Sequence, residues 1–225
     1  MRKGELSFAL GSVFGSTGQA RIGWTGRHYE YELETGLPVL PQGGTWSNGL
    51  DARIEIDQFD RLYFPQRGWA FSSRYFSAYT DDYTRLTLDL KTAHSLHDFV
   101  LNTQLRHDRA MHGRLPYYDA ATLGGFRRMS GMLTGQMLGN TTSFASLDIA
   151  RIIGRMPLGL RGDMRLGLTQ EFGRMQDAYT ETQRTGWQRA NAVYLGGETP
   201  LGALYLGWGH MQDGPTHWYL FLGTP

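Results

Sequence analysis

The feature that most limits how this chain can fold is a period-two alternation that persists from end to end. Leu86, Leu88 and Leu90 share one side of the stretch Tyr83 to Lys91, and Arg85, Thr87, Asp89 and Lys91 share the other. Leu50, Ala52, Ile54 and Ile56 alternate with Asp51, Arg53, Glu55 and Asp57. Phe99, Leu101 and Leu105 oppose Asn102, Gln104 and Arg106. Leu160, Met164, Leu166, Leu168 and Phe172 oppose Arg161, Asp163, Arg165, Thr169 and Glu171. Two is the side-chain period of a pleated strand. None of these stretches carries the i, i+3, i+4 stripe of an amphipathic helix. The pattern predicts strands near 4–13, 18–33, 47–59, 68–79, 82–93, 97–107, 141–154, 159–173, 187–197, 201–209 and 215–223. No linker, low-complexity tract or short repeat divides them, so residues 1–225 read as one all-β unit.

The connections between these strands are unequal. The long ones, 34–46, 108–140 and 174–186, are the second, sixth and eighth, so in an up-and-down meander they share one end. The opposite end has tight turns, as at His94-Ser95-Leu96 and Glu198-Thr199-Pro200. Long loops at one end and short turns at the other mark a bacterial outer-membrane barrel. The alternation itself fits two architectures. In a soluble sandwich the leucines would point inward, whereas in a membrane barrel they face lipid and the charges line a polar lumen. Trp69, Tyr79, Tyr83, Trp187, Trp208 and Trp218 near strand ends resemble interfacial girdles and favour the membrane arrangement.

Composition narrows the function classes. With 22 basic and 21 acidic residues there is no basic excess of the kind a nucleic-acid binder shows. Zero cysteines exclude disulfides, thiolate metal sites and cysteine nucleophiles. No apolar run reaches the ~18–20 residues of a membrane helix. Met1-Arg2-Lys3 leads into Gly4-Glu5 with no apolar stretch behind it, so a secretory signal is not expected within these residues. Eleven strands would put the termini at opposite ends, whereas bacterial single-chain barrels close with an even number. The expectation is therefore an incomplete portion of a larger barrel.

Three local motifs carry a family resemblance. Asp57-Gln58-Phe59-Asp60-Arg61-Leu62-Tyr63-Phe64-Pro65-Gln66-Arg67-Gly68 resembles a periplasmic turn of the outer-membrane insertase and two-partner-secretion translocator superfamily. Pro65 fixes its own φ and Gly68 permits a positive one, while Asp57 and Asp60 can order the turn by accepting backbone N–H bonds. Leu123-Gly124-Gly125-Phe126-Arg127-Arg128-Met129-Ser130-Gly131, followed by Gly135 and Gly139, is similar to that superfamily's long extracellular loop, which folds back into the lumen. Where the general family has an arginine before the tip glycine and an aromatic after it, this chain has Ser130 and Met132. A Ser-Gly tip is similar instead to the patatin-like phospholipase autotransporters. Glu198 to Gly209, leading to Trp218-Tyr219-Leu220-Phe221-Leu222-Gly223, looks like the final hairpin of the same group.

The resemblance implies the C-terminal, roughly eleven-stranded part of a roughly sixteen-stranded barrel in the bacterial outer membrane, with loop 108–140 in its lumen. Its implied partners are outer-membrane lipid, the barrel assembly machinery and an N-terminal passenger or periplasmic repeat domain. Members usually end on an aromatic, and this chain stops at Thr224-Pro225. The expected role is a non-catalytic anchor or translocator without cofactor or metal. Arg127 and Arg128 on the inserted loop have Asp148, Asp163 and Glu171 as candidate inward-facing partners, since an unpaired ion away from water costs several kcal/mol. Two alternatives come from other classes. A passive porin would use the lumen charges as a weak filter. A rim-active hydrolase would draw on His107-Asp108 with His112, or on His94 and His97-Asp98. No Gly-x-Ser-x-Gly elbow is present, so a lipase passenger would lie N-terminal to Met1.

Overall fold

The computed structural model describes residues 2–31, 43–156, 162–184 and 186–223. The strands are β1 (Arg2–Phe14), β2 (Gly18–Tyr31), β3 (Gly43–Asp57), β4 (Gly68–Ala78), β5 (Thr84–Leu96), β6 (Phe99–His112), β7 (Ala121–Leu123), β8 (Met137–Arg155), β9 (Asp163–Ala178), β10 (Trp187–Thr199), β11 (Gly202–Met211) and β12 (Thr216–Leu222). They form one antiparallel sheet in chain order, from which only β7 departs, pairing with β8 alone. β1 and β12 are its edges and do not pair with each other, so the described sheet is not closed. No described helix is long and apolar enough to cross a membrane.

Register keeps each face chemically uniform. Leu168 on β9 lies opposite Ile149 on β8 and Val193 on β10, and the next position, Thr169, lies opposite Asp148 and Ala192. A slip of one residue would exchange the two faces, so patterning and register enforce each other. The faces are inverted relative to a soluble sandwich. Leu10, Leu168 and Leu220 are 84%, 57% and 77% exposed, while Arg27, Asp108, Asp148, Arg165 and Glu171 are buried. The inner face is concave: Phe64, in the β3–β4 turn, packs against Tyr194 and Tyr205 of β10 and β11.

Several sequence expectations need adjustment. Among the described residues there are twelve strands rather than eleven, because β7 forms within the expected 108–140 loop. β6 runs on to His112 and β8 begins at Met137, so the connection between them is 113–136 and Gly139 is a strand residue. β9 likewise continues to Ala178. Tyr83 is not an interfacial girdle residue. It is buried on the inner side, where its hydroxyl donates to Asp119 Oδ2 at 2.8 Å. Trp69, Tyr79, Trp187 and Trp218 are exposed on the outer face. Positions 32–42, 157–161 and 224–225, which take in most of the expected 34–46 loop and the start of the expected 159–173 strand, lie outside the described residues.

Candidate functional site

The chemistry-bearing residues converge where the 113–136 connection crosses the inner face. β7 zips onto β8 through Ala121 opposite Gly139 and Leu123 opposite Met137, which aims the next residues across the sheet. Gly124 and Gly125 follow with φ of 125° and 111°, values that L side chains rarely adopt. Turn bonds from Gly124 N–H to Arg128 O (2.9 Å), Arg128 N–H to Gly125 O (3.0 Å) and Met132 N–H to Met129 O (3.1 Å) fold the tip. Gly131 then passes so close to the β11–β12 hairpin that a Cβ there would collide with Met211 N and Pro215 O.

Glu171 of β9 receives that tip. Its carboxylate accepts the Met129 N–H (2.9 Å), the Ser130 N–H and the Ser130 hydroxyl (2.8 Å), and it is wholly buried. Ser130 Oγ in turn accepts the Arg127 N–H at 2.9 Å. A buried carboxylate with three converging donors is an anion whose solvation has been replaced by fixed dipoles. Arg127 donates to Asp148 Oδ2 (3.1 Å) and to the Tyr205 hydroxyl (3.3 Å). Asp148 also accepts from Asn102, Thr169 and Tyr194, each at 3.0 Å. Tyr219 on β12 accepts the Gly131 N–H and donates to Met132 O, both at 2.9 Å. Phe126 sits among Tyr194, Tyr205 and Tyr219, with ring centroids 5.1–6.1 Å apart.

The other end of the connection has its own anchor. A single turn of 3-10 helix, Tyr117–Asp119, presents Asp119 to Arg27 of β2 (3.2 Å), Tyr83 (2.8 Å) and Arg85 of β5 (2.9 Å). Arg85 also pairs with Asp108. The connection is thus fastened to β2 and β5 at one point and to β8, β9, β11 and β12 at the other.

From the tight-turn end, the β3–β4 turn folds inward as well. Asp57 accepts the Phe59 N–H (2.9 Å), and Asp60 accepts the N–H groups of Gln66 (2.9 Å) and Arg67 (3.1 Å). Partial burial raises the Asp60 carboxyl, and these backbone donors outweigh it, leaving the group below the ordinary aspartate range. Phe64 takes φ 47° before Pro65, and its carbonyl accepts from Arg165 at 3.3 Å while the Arg165 guanidinium lies 4.6 Å above its ring. Gly68 holds φ 111° where an added Cβ would collide with Gln58 O. Between turn and loop tip lies a chamber of about 370 Å³, with Arg127, Arg128 and Tyr205 among its walls on one side and Phe64 and Arg165 on the other.

Of the residues singled out from sequence, Arg127 meets Asp148 and Ser130 meets Glu171. Arg128 reaches no carboxylate among the described residues and donates to Thr122 O at 3.1 Å. Asp163 stands apart from the loop and pairs with Arg61 of the β3–β4 turn at 3.2 Å. Gly135 takes φ 66° at the exit of the tip. Among the hydrolase candidates, His107 and Asp108 point to opposite faces. His107 Nδ1 lies 2.9 Å from Ser143 Oγ on the outer side, and Asp108 is buried against Arg85. His112 lies 3.8 Å from Asp82, both exposed. Three residues had no sequence signal of their own. Asp119 sits in an unpatterned loop, and Arg27 and Tyr219 become visible only as polar groups at inward-parity strand positions.

No family model and no curated protein matches this sequence. Solved structures do match. BamA from Haemophilus ducreyi, in a structure lacking POTRA domains 1–3, superposes with a TM-score of 0.71 at 13% identity, over 98% of this chain and 52% of that one. The likeness is one of fold: an antiparallel up-and-down β-barrel sheet. The chain spans about half the length of that structure.

Proposed function

We propose that this chain is a membrane-embedded barrel of the outer-membrane translocator and insertase type, and within that type the anchor or translocator portion of a patatin-like autotransporter. One observation carries the membrane reading: the leucine face is exposed and the ionic face is buried. In water that arrangement would leave a broad apolar surface uncovered. Against hydrocarbon it buries the leucines and leaves the charges in an enclosed polar interior. The Ser130-Gly131 tip supports the autotransporter assignment, and the resemblance in the turn and final hairpin supports the broader type. The proposed partners are outer-membrane lipid, the barrel assembly machinery and an upstream passenger or periplasmic repeat domain. The work is physical rather than catalytic, since it consists in holding a tethered partner or a polar path across the membrane.

The interior loop separates this reading from a passive porin. Single-channel recording on the full-length parent in planar bilayers is expected to give closed or flickering traces. Removal of 124–136 is expected to convert them to steady ohmic conductance. Steady conductance before the deletion would favour the porin. The upstream reading frame tests the finer assignment. A domain with Gly-x-Ser-x-Gly supports the autotransporter, and periplasmic repeats alone would overturn it in favour of a general insertase.

A further inference from the structure

The outer face carries a second pattern that neither loop nor turn uses. On β6, β8, β9 and β10 the carboxylates Asp108, Asp148, Asp163, Glu171 and Glu198 fall at inward positions, and Asp177, at φ 49°, is exposed near the end of β9. Arg109, Arg174 and Arg189 fall on the outward parity, all toward the long-loop end. Arg174 lies between Ser143 of β8 and Trp187 of β10. Arg189 is opposite Phe172, and so diagonal to Arg174 at about 7–8 Å. Arg109 is opposite Thr141, two strands from Arg174, or about 10 Å sideways. None of the three has a carboxylate within ion-pairing distance among the described residues, and Arg174 Nε is buried without a hydrogen-bond partner. The Arg189 guanidinium rests 5.8 Å from the Phe172 ring centroid, and Trp187 beside it is exposed. Glu181, in the adjoining loop, is already paired with Arg184 at 3.1 Å.

Depth gives this group its meaning. Below it on β9, Met164, Leu166, Leu168 and Phe172 make an outward apolar band interrupted by Gln170. Eight residue steps span about 27 Å along a strand, or about 20 Å along the normal at a tilt of about 40°. That is close to the hydrocarbon band of such barrels, which puts the arginines at the phosphate level of the leaflet on the long-loop side. Here a guanidinium presents the planar fork that suits phosphate oxygens. We infer that Arg109, Arg174 and Arg189, with Trp187, form a docking site for the phosphate groups of anionic lipid in that leaflet. The inference rests on the membrane reading above. The site is mid-sheet, away from both edge strands, and its occupant is identified by charge: three outward arginines that no carboxylate among the described residues pairs.

Spin-labelled phosphatidylglycerol and phosphatidylcholine, added in turn to the full chain in phosphatidylcholine vesicles, test the idea by electron paramagnetic resonance. The immobilised fraction should be larger for the anionic label. Arg174→Gln and Arg189→Gln should each weaken that preference about fivefold, the effect of one surface arginine on an anionic lipid. Arg174→Lys should retain part of it. Arg151→Gln, on the same face at the tight-turn end, should change it little. Vesicle insertion with equal immobilisation of both labels would overturn the site but leave the membrane reading intact. Equal loss in Arg151→Gln, or displacement by inorganic phosphate, would also overturn it, showing general charge rather than a lipid site. Failure of the wild-type chain to enter vesicles would remove the membrane reading and this inference together.

Discussion

Glu171 and Asp148 solve the same problem in different ways. Asp148 meets the formal charge of Arg127 and adds three neutral donors, whereas Glu171 has no arginine bonded to it among the described residues and relies on two N–H groups and a hydroxyl. Removing the acceptor therefore strands more than removing one donor. Glu171→Ala is expected to cost about 3 kcal/mol or more, and Ser130→Ala about 1–2 kcal/mol, by the cost of leaving buried groups unpaired. Urea titration in micelles checks both, and equal effects would contradict the latch. The alternation already put both acids on the ionic side of the sheet. It could not say which donor met which acid, because that depends on how far Gly124, Gly125 and the left-handed Arg127 and Met129 bend the tip. Asp119 was illegible for the same reason. Its three partners come from β2, from β5 and from the residue before β5, and no local pattern joins them.

Strand positions were far more legible than the segments between them, since a long period-two pattern reports its own face and approximate limits. β7 escaped because three residues carry no periodicity. Tyr83 was misread because a tyrosine just before a strand looks the same whether its hydroxyl meets water at a membrane surface or a buried carboxylate. The β3–β4 turn was legible as a turn, but its inward fold onto β9–β11 was not. That fold has a pH signature. The Asp60 carboxyl is held below its usual value, so its ordering of the turn is complete above the unfolded pKa and is lost as pH falls through the lowered folded one. The protection factors of the Gln66 and Arg67 amides, taken against the intrinsic exchange rate at each pH, should therefore hold at neutral pH and fall in acid, more than that of the Trp69 amide. Unchanged relative protection in acid would show that Asp60 does not hold the turn.

For the molecule as a whole, the facing of the sheet decides everything else. At the membrane midplane an outward arginine costs about 2–4 kcal/mol. Leu88→Arg is thus expected to block insertion, while Thr87→Arg, one residue earlier and facing the interior beside Asp108, is tolerated. Heat-modifiable mobility on gels reads both, and equal tolerance would count against the assigned faces. The most direct measurement uses the absence of native cysteine. Nitroxide labels at Leu105→Cys, Leu168→Cys and Thr87→Cys can be compared in vesicles for collision with oxygen, which concentrates in hydrocarbon, and with a water-soluble nickel chelate. The account predicts high oxygen and negligible nickel collision at 105 and 168, with the reverse preference at 87. Labels at 105 and 168 that meet nickel freely, or that lie shielded within a chain soluble without detergent, would contradict it.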